Sequence, residues 1–86
     1  MSFAFYDLGY RRAGQSVRVS IDHAANVMLL DNASFMAYRS GQQFRYYGGH
    51  YTRSPIQIPV PQAGHWHVVI DPGGGTGTIR SSVSVL

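Results

Sequence analysis

The sequence predicts an all-β fold, a single antiparallel β-sandwich or partly closed barrel of seven to eight short strands with one short helical turn. Apolar residues recur at every second position, and turn residues punctuate the chain about every 8 to 12 residues. The charge set agrees. All seven cations are arginine (Arg11, Arg12, Arg18, Arg39, Arg45, Arg53 and Arg80), all four anions are aspartate (Asp7, Asp22, Asp31 and Asp71), and ten glycines are present. Glutamate and lysine, which furnish the exposed face of most long helices, do not occur.

A chain of 86 residues holds one core, so residues 1–86 are expected to form a single domain. At 44% hydrophobic and 13% charged it is too apolar to remain disordered. It has no cysteine, which excludes disulfides, thiolate metal sites and cysteine nucleophiles. Met1 to Tyr10 lacks a basic head followed by an apolar stretch, and no run reaches the roughly 18 apolar residues of a membrane helix. A soluble, cytoplasmic protein without membrane contact is the expectation.

The first strand is read over Phe3 to Leu8, with Phe3, Phe5 and Asp7 alternating with Ala4, Tyr6 and Leu8 and Gly9 as its end. Arg11 to Gly14 form a turn. From Gln15 to Asp22, Val17, Val19 and Ile21 share one face and Arg18, Ser20 and Asp22 the other, the pattern of a half-buried strand. Asn26 to Asp31 is apolar on both faces and should lie inside a sheet. Asp31 or Asn32 can cap a helix of no more than two turns, in which Phe35 and Tyr38 fall on one side and Gly41 supplies the exit.

Gln43 to Tyr47 reads as another strand, followed by a bulge or reversal at Gly48 and Gly49. Ile56, Ile58 and Val60 alternate with Gln57, Pro59 and Pro61; prolines withhold amide donors, so this is an edge strand. His65 to Asp71 is the most strand-like run, with Trp66, Val68 and Ile70 on the core face and His65, His67, Val69 and Asp71 opposite. The glycines at 73 to 75 form a hairpin loop before a last strand over Thr76 to Leu86. They lack the lysine and following helix of a phosphate loop.

Tyr6-Asp7-Leu8-Gly9-Tyr10, Ala25-Asn26-Val27, Arg45-Tyr46-Tyr47-Gly48-Gly49-His50, Thr52-Arg53-Ser54-Pro55 and Gly64-His65-Trp66-His67-Val68-Val69 together resemble a family of small bacterial proteins. That family is catalogued as a domain of unknown function, number eighteen eighty-three, and the likeness covers nearly the whole chain. The resemblance implies an all-β sandwich, alone or joined to signalling domains such as TIR domains, with no established activity. Val27 to Asp31 and Pro61 to Trp66 are more loosely similar to Golgi-dynamics and pre-peptidase sandwich domains, which are mostly interaction modules.

The densest polar and aromatic stretch runs from Tyr38 to Arg53. Tyr38, Arg39, Arg45, Tyr46, Tyr47, Tyr51 and Arg53 are the candidate ligand-binding residues, because arginine forks grip phosphate or carboxylate and tyrosine rings stack on planar groups. The same residues can serve packing alone, with tyrosines covering core edges. His65 and His67 share a strand face. With His50 alongside and Asp71 as an oxygen donor they are candidate ligands for a transition metal, against the commoner role of hydrogen-bonded histidines.

No Gly-x-Ser-x-Gly elbow or close pair of acids marks a catalytic centre, so no catalytic residue is assigned. The expected function is a non-enzymatic binding or sensing module that meets a protein partner or an anionic small molecule. A small histidine-ligated metalloenzyme is the alternative. A weak nucleic-acid binder is a further one, disfavoured by a net charge of only +3. Homo-oligomerisation is compatible with each.

Overall fold

The computed structural model describes residues 4–72 and 79–86. Seven strands, β1 (Ala4–Arg11), β2 (Ser16–Ile21), β3 (Ala25–Asp31), β4 (Tyr47–Tyr51), β5 (Ile56–Pro59), β6 (Gly64–Asp71) and β7 (Ser81–Val85), accompany one helix, α1 (Asn32–Arg39). The strands form two antiparallel sheets, ordered β1-β6-β3-β4 and β5-β2-β7. The two packed sheets do not close, so of the two predicted architectures the molecule adopts the sandwich. The chain changes sheet at every link except that from β3 to β4, where α1 intervenes.

Alternation explains the core. Val17 and Val19 from β2, Ile56 and Ile58 from β5, Val27 and Leu29 from β3, and Trp66, Val68 and Ile70 from β6 meet between the sheets. Trp66 is 2% exposed, and its indole N–H donates to the Gln62 carbonyl at 2.9 Å, so its one polar atom is satisfied where it enters the core. The three-stranded sheet has a polar outer side, with Arg18, Gln57, Ser82 and Ser84 exposed. β5 is an edge strand, in keeping with Pro59 inside it and Pro61 just beyond its end.

The four-stranded sheet is different because its outer face is covered as well. Met28, Leu30 and Val69 project outward beneath Phe35 of α1, with Tyr38 and Phe44 packed against them. This second layer is why β3 is apolar on both faces. Asp31 caps the helix by accepting the Ser34 amide at 2.8 Å, and Gly41 takes a left-handed φ of 74° just after the helix. The helix spans eight residues, slightly more than the predicted two turns.

Four boundaries differ from expectation. β1 continues through Gly9, because a bulge at Leu8 lets the strand bend rather than stop: Asp7 faces His67 while Gly9 faces Trp66. Gln43 to Tyr46 form an irregular strap, and the strand begins only at Tyr47. Gly48 and Gly49, read as a bulge or reversal, lie inside β4, where a Cβ on Gly48 would collide with the Val27 carbonyl. Ile79 and Arg80 precede β7 rather than belonging to it. Phe3 and the glycine loop at 73 to 75 lie outside the described residues.

Candidate functional site

Two groupings of side chains occupy the outer side of the four-stranded sheet, at opposite ends. The first is a cleft of about 420 Å³ lined by Asn26, Met28, Tyr38, Phe44, Tyr46, Gly49, His50 and Asp71. Phe44 organises one wall, its ring 5.1 Å from that of Tyr38 in an edge arrangement and 5.7 Å from that of Tyr46. The Tyr38 hydroxyl donates to Asp71 Oδ2 at 3.1 Å, tying the helix to the end of β6. Burial, then the Asp71 charge and hydrogen bond, push the Tyr38 hydroxyl up to about 12. His50 Nδ1 lies 3.3 Å from Asn26 Oδ1 across the β3·β4 ladder.

His50 also borders a shallower groove of about 390 Å³, lined with Tyr51, Thr52, Arg53, Pro55, Ile56 and Gln57. The two hollows therefore meet at this imidazole. Among the seven predicted ligand-binding residues, Tyr38 and Tyr46 line the cleft, and Tyr51 and Arg53 line the groove. The other three are placed elsewhere. Arg39 lies over the Phe35 ring at 5.7 Å, and the Arg45 amide donates to Ser34 Oγ at 3.4 Å. Tyr47 approaches Trp66 at 6.1 Å between ring centroids. Arg39 ends α1 and Arg45 lies in the strap, while Tyr47 is set apart by strand alternation: it pairs with Leu29 on the core side, and His50 pairs with Asn26 on the outer side.

The second grouping joins β1 to β6. Asp7, His65 and His67 each bring a donor atom to within 4.8 Å of the others. His65 Nε2 is 2.6 Å from Asp7 Oδ1, and the same oxygen accepts the Gly9 amide at 2.9 Å. That amide, followed by the His65 contact, holds the Asp7 carboxyl below the usual carboxylate range. His67 is 4% exposed and sits between two near-parallel rings, Phe35 at 4.2 Å and His65 at 4.7 Å. Its Nε2 meets Asn32 Oδ1 at 3.1 Å, while its buried Nδ1 has no hydrogen-bond partner. Burial lowers its pKa, with the Asp7 charge opposing and His65 adding to the shift.

The structure thus brings His65 and His67 together as predicted, but supplies Asp7 where His50 was expected. Asn26 stands opposite both His50 and Asp71, so His50 is level with Asp71 and two strands from β6. That places it about 13 Å along the sheet from His67 and about 10 Å across. Asp71 belongs to the cleft instead. His23 pairs with Asp22 at 2.9 Å on the surface.

No helix among the described residues is long and apolar enough to cross a membrane. A family model described as a domain of unknown function, DUF1883, matches residues 1–86, and the chain belongs to that family. No curated protein and no solved structure matches it.

Proposed function

We propose that this member of the DUF1883 family is a non-enzymatic binding module for a small molecule carrying a planar apolar part and an anionic group. The observation that supports this reading is the junction at His50 between an aromatic cleft and a groove bearing Arg53. Phe44 and Tyr46 offer ring faces and edges to a planar group, with Tyr38 and Asn26 as polar tips that fix its orientation. Arg53 offers a planar fork of donors suited to a phosphate or carboxylate. The net charge of +3 favours approach of an anion without creating the strong basic stripe of a nucleic-acid binder. Among the described residues no serine hydroxyl is hydrogen-bonded to a histidine, so binding accounts for the polar groups present better than acyl transfer does.

Amide NMR titration with aryl phosphates and aryl carboxylates tests the proposal. Shifts centred on Gly49 to Arg53 are expected, with affinity lost in folded Arg53→Ala and Tyr46→Ala variants. Shifts scattered over the surface, or undiminished binding in both variants, would reject the site.

A further inference from the structure

We infer that Asp7, His65 and His67 form a binding site for a divalent first-row transition ion, zinc foremost. The site is separate from the cleft, and its existence does not depend on the ligand reading above. Two imidazoles and one carboxylate are a donor set that such ions favour, and three protein ligands leave room in the coordination sphere for water or an exogenous group. With both imidazoles neutral, the ionised carboxylate gives the trio a single negative charge, which opposes no cation.

His67 carries the inference. It is 4% exposed, yet its Nδ1 is buried without a hydrogen-bond partner, an arrangement that ordinarily costs stability. Its other nitrogen is accounted for, because Nε2–H can donate to Asn32 Oδ1 at 3.1 Å. That bond selects the tautomer whose lone pair resides on Nδ1. Metal-binding histidines are commonly held in this way, with one nitrogen anchored by an oxygen acceptor and the other directed to the ion. The Phe35 ring, 4.2 Å away and 11° from parallel, fixes the plane in which that lone pair lies.

The remaining two ligands are held by the strand pairing. Asp7 faces His67 directly in the β1·β6 ladder, and His65 follows two residues away on the same face. The bulge at Leu8 and the Gly9 amide bond hold the Asp7 carboxylate toward His65. Tetrahedral zinc, with bonds of about 2.0 to 2.2 Å, separates its donor atoms by about 3.3 Å. Asp7 Oδ1 and His65 Nε2 are 2.6 Å apart, and one ligand atom from each of the three residues lies within 4.8 Å of the others, so loading requires the Asp7–His65 contact to open slightly and His67 to be approached by the other two.

His65 is the group that moves. A metal lies in the plane of every imidazole it binds, and rings stacked at 4.7 Å and 12° share no such in-plane point. Its side chain is 44% exposed, so it can tilt without disturbing the core, while His67 stays fixed. Binding replaces the Asp7–His65 hydrogen bond: the His65 proton passes from Nε2 to Nδ1 through solvent, which leaves the ring neutral and frees the Nε2 lone pair for the ion.

The test is a zinc titration of the tag-free, chelator-stripped full chain by calorimetry, with Co²⁺ substitution to read the coordination number from its visible bands. One ion per chain is expected. His65→Ala and Asp7→Asn should each weaken zinc by about 100-fold or more, since even outer-shell partners of a ligand are worth 10- to 100-fold. His67→Phe preserves the ring stack and should also lose the ion, whereas His50→Ala should bind like wild type. Failure of the folded wild-type chain to bind zinc, or wild-type affinity in His65→Ala, overturns the assignment. So does loss of binding in His50→Ala.

Discussion

Asp7 Oδ1 lies 2.6 Å from His65 Nε2, although Asp7 faces His67 and His65 faces Tyr10 in the strand ladder. The contact runs diagonally, and the bulge at Leu8 makes it short by adding one residue to β1 between these two levels. Gly9 completes the device: its φ of 69° bends the strand, and its amide returns to the same carboxylate oxygen.

This geometry sets an acid response. The Gly9 amide and His65 lower the folded pKa of Asp7, so the unfolded chain takes up a proton first as the pH falls. The stabilisation is present above about pH 4 and is lost as pH drops through the lower folded value. Asp7→Asn should therefore show a shallower decline in urea midpoint between about pH 5 and pH 2 than the parent does. Parallel declines would mean the carboxylate is not held by these partners in solution.

His67 governs the neighbouring pH range. Burial depresses its folded pKa, so the unfolded chain binds the proton at a higher pH than the folded one. Stability should be complete above about pH 7 and fall as the pH is lowered through the ordinary imidazole value near 6.5. His67→Phe retains a ring against Phe35 and removes the titration. Thermal unfolding of metal-free protein, with chelator present, should lose this step in the variant; an unchanged step would assign it to another histidine.

Gly48 and Gly49 are adjacent yet should respond oppositely to alanine. A Cβ on Gly48 would meet the Val27 carbonyl on the neighbouring strand, and its φ of 134° disfavours any L side chain. Gly49 has open space and no such dihedral. Gly48→Ala should lower stability by about 2 kcal/mol or more, and Gly49→Ala by less than about 1 kcal/mol, measured by denaturant unfolding. Equal effects would contradict the close approach of β4 to β3.

The sequence made the core legible because period-two alternation reports burial directly: Val17, Val19, Trp66, Val68 and Ile70 all face inward as read. The same rule placed His65 and His67 together. It did not reveal Asp7, whose contact with His65 spans 58 positions and depends on β1 lying beside β6, information that periodicity does not carry. One signal was present, an aspartate two residues before a glycine, which suits a side chain bonding its own backbone. The Tyr38 to Arg53 stretch shows the converse limit, because closeness in sequence does not say which residues share a surface. Adjacent aromatics looked like one surface, but alternation along β4 turned Tyr47 toward Trp66 and away from His50, and Tyr38 and Tyr46 line a different hollow from Tyr51 and Arg53.

Tyr38 offers the last prediction, because it joins the candidate cleft to the fold. Its hydroxyl is the helix's polar contact with Asp71, and Tyr38→Phe should cost about 1 to 2 kcal/mol while leaving the ring against Phe44. Raised to about 12, its folded pKa exceeds the ordinary tyrosine value, so this stabilisation is intact below about pH 10 and disappears as the pH rises through 12. Ultraviolet titration should show one tyrosine ionising after the others, and that late step should vanish in the variant. If all six tyrosines ionise together in folded protein, the hydroxyl is not buried against Asp71 and the cleft lacks this wall.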